Sequence, residues 1–116
     1  MRFSKIDKSS HESDVVKFAI DFLLQSGYFV WRNNTGAMPW RDRYGQEKFM
    51  RFGKVGSSDI LGISPAGRFV AIECKDKSKA TEKQLEFLEE IKRRGGIGLI
   101  IHSPEELMEG LKNANR

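Results

Sequence analysis

Cysteine is almost absent from this chain, with Cys74 alone in 116 residues. One thiol excludes an intramolecular disulfide, and it leaves no Cys/His cluster for a structural zinc. Cys74 is expected to be buried and inert. Long hydrophobic runs are also missing, so no segment has the length of a membrane span. The first residues, Met1 to Lys8, scatter Phe3 and Ile6 among charges instead of building the apolar core of a signal peptide. These absences lead to the expectation of an intracellular protein with no membrane partner, free of internal repeats and low-complexity tracts. What remains, 39% hydrophobic and 31% charged, suits one soluble domain over residues 1–116 with a single core. A formal charge of +4 and a pI near 9.3 lean towards an anionic partner, although where the charge sits says more than its sum.

One stretch organises the rest. Asp59 to Lys75 reads as two strands, with Ile60, Leu61 and Ile63 before a Ser64-Pro65-Ala66-Gly67 turn and the apolar run Phe69 to Ile72 after it. Side chains two apart on a strand share a face, so Glu73 and Lys75 project together while Cys74 turns away. The hairpin also brings Asp59 close to Glu73. Two carboxylates about 4 Å apart repel by roughly 4 kcal/mol at an effective dielectric of about 20, so such a pair needs a proton, a nearby cation or a bound metal. Lys75 could supply one charge. A hard divalent ion would neutralise both acids while keeping waters for chemistry. Alone, Asp59 would read as an ordinary strand-entry turn residue.

Elsewhere the pattern is helix, strand, the central hairpin, helix, strand and a short final helix. Val15, Val16, Ala19, Phe22 and Leu23 give 9–26 the spacing of an amphipathic helix, closed by Gly27. Ser9 and Glu12 match a capping box, so Glu12 is either a helix cap or an additional ligand beside the acids. His11 is expected in solvent. Tyr28 to Arg32 reads as a strand paired with the hairpin, and the segment from Asn33 through Lys54 as irregular, with a short excursion at Tyr44-Gly45-Gln46. Thr81 opens a second helix with Leu85, Leu88 and Ile91 on one stripe, and Gly95-Gly96 ends it. Thr81-x-x-Gln84 is again a capping box, so Gln84 either caps or contacts the site. Residues 97–101 form a further buried strand, His102 lies on the surface, and Ser103-Pro104 starts a helix to about Lys112, beyond which the chain frays.

The segment Trp31 to Lys54 carries Arg32, Arg41, Arg43, Lys48, Arg51 and Lys54 against only Asp42 and Glu47, a surplus equal to that of the whole chain. Interleaved aromatics are Trp31, Trp40, Tyr44, Phe49 and Phe52. Basic side chains suit phosphates and exposed rings stack on unpaired bases. Trp31 and Phe52 are expected instead in the core.

Gly56-Ser57-Ser58-Asp59-Ile60-Leu61-Gly62, Gly67 to Lys75 and Thr81-Glu82-Lys83-Gln84 together resemble the signature of virus-type replication-repair nuclease (VRR-NUC) domains, of the PD-(D/E)xK superfamily. A Glu-x-Lys tripeptide alone means little, since Glu90-Ile91-Lys92 repeats it inside a helix. Ser58 stands where the superfamily has a non-catalytic proline. The resemblance covers Glu12 to the last strand and implies a restriction-endonuclease-like α/β fold, with core order helix-strand-strand-strand-helix-strand and a mixed central sheet flanked by helices. It further implies a magnesium- or manganese-dependent endonuclease acting on DNA. Asp59, Glu73 and the Cys74 backbone carbonyl would hold the metal, Lys75 would orient the attacking water, Glu12 would complete the acids and Gln84 would support them. A stand-alone domain of this kind resembles phage or prophage forms acting in the bacterial cytoplasm. By analogy with resolvases, a homodimer and branched DNA such as a Holliday junction follow. Two other functions fit the residues: a non-catalytic nucleic-acid-binding module using 31–54, and a protein adaptor using the first helix.

Overall fold

A computed structural model describes residues 11–116. Ser9 and the side chain of His11 lie outside the described residues, and with them the capping box drawn to Glu12. In chain order the elements are α1 (His11–Gln25), β1 (Phe29–Arg32), β2 (Gly36–Arg41), β3 (Glu47–Phe52), β4 (Ile60–Ile63), β5 (Phe69–Cys74), α2 (Glu82–Arg93), β6 (Ile97–Ile101) and α3 (Pro104–Ala114). A four-stranded sheet in the order β1-β4-β5-β6 is the centre, antiparallel except for the parallel β5–β6 edge. This is the mixed sheet flanked by helices that the sequence leads one to expect.

The alternation of β5 decides the layers. Val70, Ile72 and Cys74 point to one face, where they pack with Val15, Val16, Ala19 and Leu23 of α1 and with Leu107 and Leu111 of α3. Each fully buried aliphatic side chain here contributes about 1.5–3 kcal/mol. Ala71 and Glu73 point to the other face, which α2 covers over β5 and β6. The β4–β5 turn is the expected one: the Gly67 N–H donates to the Ser64 carbonyl at 2.9 Å, and Gly67 takes φ +84°, which a side chain would resist. Next to it, the Arg68 guanidinium donates to the carbonyls of Gly95, Gly96 and Ala114, tying that turn to the ends of α2 and α3.

Four expectations need correction. The segment after Asn33 is not irregular: β2 and β3 form a separate two-stranded antiparallel sheet, closed at 42–46 where Asp42 accepts the N–H groups of Tyr44 and Gln46. Every position of both strands is exposed, so no apolar alternation marks them in the sequence. Trp31 and Phe52 are not core residues, being 44% and 41% exposed. Trp31 has the parity opposite to Val30, the β1 residue that enters the core, and Phe52 belongs to the outlying sheet. On α2, Leu88 is buried and Ile91 half-buried, but Leu85 is exposed, one turn nearer the open end of the sheet. The C-terminus is tied down as well: α3 reaches Ala114, and Asn115 Nδ2 donates to the Tyr28 hydroxyl at 3.0 Å. His102 is exposed as expected, with its ring 2.9 Å from Glu106 Oε1.

Candidate active site

The β4–β5 ladder pairs Ile60 with Ile72, so the next step places Asp59 opposite Glu73. Asp59 is held from two sides. Its carbonyl accepts the Asn33 N–H at 2.7 Å, and its Oδ2 accepts the Cys74 N–H at 2.8 Å. Asn33 adds side-chain bonds to Ser57 Oγ at 2.7 Å and to the Ser58 carbonyl at 3.0 Å, clamping the strand entry. In the sequence Asn33 reads only as the start of the irregular segment. Its real work comes from partners more than twenty positions away, which no local pattern announces.

Glu73 is 3% exposed, and its Oε2 is buried and accepts a hydrogen bond from no donor among the described residues. Its Oε1 accepts from Gln84 Nε2 at 3.2 Å and lies 4.0 Å from Lys75 Nζ. Burial first, and then the charge and hydrogen bonding of the Asp59 carboxyl, push the Glu73 carboxyl from its ordinary 4.5 up to about 8. Lys75 opposes that rise and Glu12 adds to it. Burial and the neighbouring acid thus drive Glu73 towards its protonated form unless a further cation joins it.

The alternatives left open for Gln84 both occur. Its Oε1 accepts the Thr81 N–H at 2.9 Å while the Thr81 hydroxyl accepts the Gln84 N–H, completing a capping box. The Nε2 end remains free to reach Glu73. An amide does both because it carries an acceptor and a donor, where a glutamate would offer acceptors only. Glu12 is exposed on the first turn of α1, close enough for its charge to act on Glu73 and Cys74. Cys74 is fully buried, and burial pushes its thiol up, as an inert core thiol requires.

Among the described residues no group of three or more His, Cys, Asp or Glu is set to hold a metal. The centre offers two carboxylates, the donor number magnesium characteristically takes alongside water. Glu73 Oε2, buried and without a donor among the described residues, is the atom that a cation would satisfy. The residues present fit such an ion.

Of the basic residues, Arg41, Arg43, Lys48 and Arg51 lie on the β2–β3 sheet or its turn, and Arg32 ends β1. Lys54 is elsewhere, lining a groove of about 860 Å³ along α2 with Lys83, Glu86, Glu90 and Arg94. None of the three central residues Asp59, Glu73 and Lys75 lines that groove. The structure thus brings Asp59, Glu73, Lys75 and Gln84 together, sets Glu12 at their edge, and spreads the six cations over β1, the β2–β3 sheet with its turn, and the loop that follows it.

No protein-family model matches the sequence, and no curated protein matches it. A solved structure described as a VRR_NUC domain superposes with a TM-score of 0.62 at 22% identity, covering 88% of this chain and 95% of that one. The chain has the fold of a VRR_NUC domain.

Proposed function

We propose that the chain is a divalent-metal-dependent nuclease of the VRR-NUC type, an endonuclease that hydrolyses DNA phosphodiester bonds. The observation that carries this reading is the buried Glu73 carboxyl, its Oε2 without a donor among the described residues and its partner carboxyl supplied by Asp59, beside Lys75 at the end of the sheet.

Asp59, Glu73 and the Cys74 carbonyl would hold magnesium or manganese. The bound ion supplies a nucleophile from water at neutral pH and charge for the scissile phosphate. The protein's own groups do the rest. The Cys74 N–H and the Asn33 clamp fix Asp59 before any ion arrives, so that carboxylate needs no reordering. Gln84 holds one Glu73 oxygen and leaves the other available to a cation. Lys75 Nζ, half-buried next to Glu73, stands ready to orient water or to face the phosphate charge that grows towards the transition state. Glu12 contributes a further negative charge at the rim. Arg32, Arg41, Arg43, Lys48, Arg51 and Lys54 supply the phosphate contacts. Pairing two chains into a homodimer would give two such centres for the two strands of a branched substrate.

The test is nicking of labelled four-way junction, flap and linear DNA with magnesium or manganese, against EDTA. Asp59→Asn and Lys75→Ala are each expected to lower cleavage by about a hundredfold or more, as loss of a group acting on transition-state charge does. Undiminished cutting by both variants would remove these residues from the chemistry. Tight binding with no cutting under any metal would instead favour a non-catalytic nucleic-acid-binding module.

A further inference from the structure

The outlying β2–β3 sheet forms an arm, and its surface deepens the nuclease reading while resting on it. We propose that one face of the arm is a seat for unpaired nucleobases, with a base stacked on Phe49 and the flanking phosphates held by Arg41 and Arg51.

The register sets the face. Ala37 lies opposite Arg51, Pro39 opposite Phe49 and Arg41 opposite Glu47, so these six share one side. Phe49 is 71% exposed, and the residues across from it and from Arg51 are short. Nothing tall on β2 covers the ring. A flat aromatic lying between two cations is the arrangement that a single strand fits, because every base has a π-face and every linkage a phosphate. Cations alone would bind any duplex; the open ring between them is what favours an unpaired base.

Charge complementarity points the same way. Among the described residues, Arg41, Arg43, Lys48 and Arg51 take part in no ion pair. Against these four cations the arm carries two acids, Asp42, whose Oδ1 accepts two turn N–H groups, and Glu47, opposite Arg41. At the tip the pattern repeats, with the Arg43 guanidinium 5.3 Å from the centre of the Tyr44 ring and that ring 78% exposed. The arm begins three residues after Asn33, the residue that clamps Asp59, so the base of the arm is joined by a short link to the strand entry at the carboxylates. The other face holds Met38, Trp40, Met50 and Phe52 with one cation, Lys48, opposite Trp40, and its mostly apolar surface would suit a second copy of the chain. It carries that single lysine where the Phe49 face carries two arginines.

The experiment is fluorescence anisotropy with a labelled oligothymidine and a labelled blunt duplex of equal length, in EDTA. Nothing is cut there, so a failed nuclease reading leaves the readout intact, while cleavage without any effect of the arm variants would sink only this proposal. The wild type is expected to prefer the oligothymidine. Phe49→Leu, apolar but without a π-face, should weaken that binding about tenfold and change duplex binding less than twofold, and Phe49→Trp should restore it. The double variant Arg41→Gln with Arg51→Gln should flatten the salt dependence of oligothymidine binding by a log–log slope of roughly 1.4. Circular dichroism checks that each variant is folded, which is expected because the arm supplies nothing to the core. Equal binding by Phe49→Leu and wild type, a wild-type preference for duplex, or a loss that tracks dissociation of a dimer in sedimentation would overturn the proposal.

Discussion

The chain contains two antiparallel hairpins that could hardly be more differently placed. In β4–β5 the side chains of Ile60, Val70, Ala71 and Ile72 are buried, and the polar residues at its end are held by Asn33, Gln84 and the Cys74 N–H. In β2–β3 every position is exposed and, among the described residues, the strands pair only with each other. A lone two-stranded hairpin is marginal in water, so the arm draws little stability from burial, whereas the central hairpin is part of what the core is made of. Rigid positioning and surface reach are different demands. The first hairpin meets the demand of a site that must fix two acids, the second that of a surface that must meet something large.

The contrast is most sharply tested at the acids. Glu73→Gln is expected to reduce metal-dependent cleavage by about a thousandfold or more, because it removes both a ligand and the charge that opposes Lys75. Phe49→Leu should leave cleavage of a saturating substrate within severalfold. Comparable losses in the two variants would break the division of labour between the hairpins.

Stability should divide the same way. Ile72→Ala is expected to cost about 2–5 kcal/mol in denaturant titration, as cavities in a close-packed core do. Met50→Ala on the arm should cost less than about 0.5 kcal/mol. An arm residue with a core-sized penalty would mean that the arm is covered in solution.

The protonation of Glu73 gives a pH signature that the arm lacks. Below pH 4.5 the folded and unfolded chains both hold this proton, and the group adds no pH dependence. Between pH 4.5 and about 8 the unfolded chain releases it while the folded chain keeps it, so metal-free stability should fall as pH rises, by roughly a few kcal/mol in all, and level off above pH 8. Glu73→Gln should flatten that slope. A slope unchanged by the substitution would show that other groups cause it.

The smallest effect is expected at Gln84. Gln84→Glu keeps an acceptor for the Thr81 N–H and so preserves the capping box, but it loses the donor to Glu73. Its melting temperature should shift by only a few degrees, while cleavage falls by about tenfold. A variant with wild-type cleavage would leave Gln84 a helix cap and nothing more.

These regions also differ in how well the sequence reveals them. The central hairpin is legible because an apolar run, a Ser-Pro-Ala-Gly turn and a sudden change to Glu-Cys-Lys coincide, and burial writes all three. The helices are legible from spacing and caps, Ser103 and Thr81 above all. The arm is not, since Ala37 to Arg41 and Glu47 to Phe52 face solvent on both sides and show no period of two. Trp31 misleads because an aromatic in a strand is usually sunk in a core, yet here it sits on the part of the sheet that α2 leaves open. Asn33 is invisible for another reason: its importance lies wholly in partners remote in sequence.

Manganese titration by calorimetry at pH 7, repeated in buffers of different ionisation enthalpy, tests the central claim most directly. The Asp59–Glu73 centre predicts one ion bound with close to one proton released, and neither in Asp59→Asn or Glu73→Gln. Absence of manganese uptake by the wild type, or uptake undiminished in both variants, would contradict it.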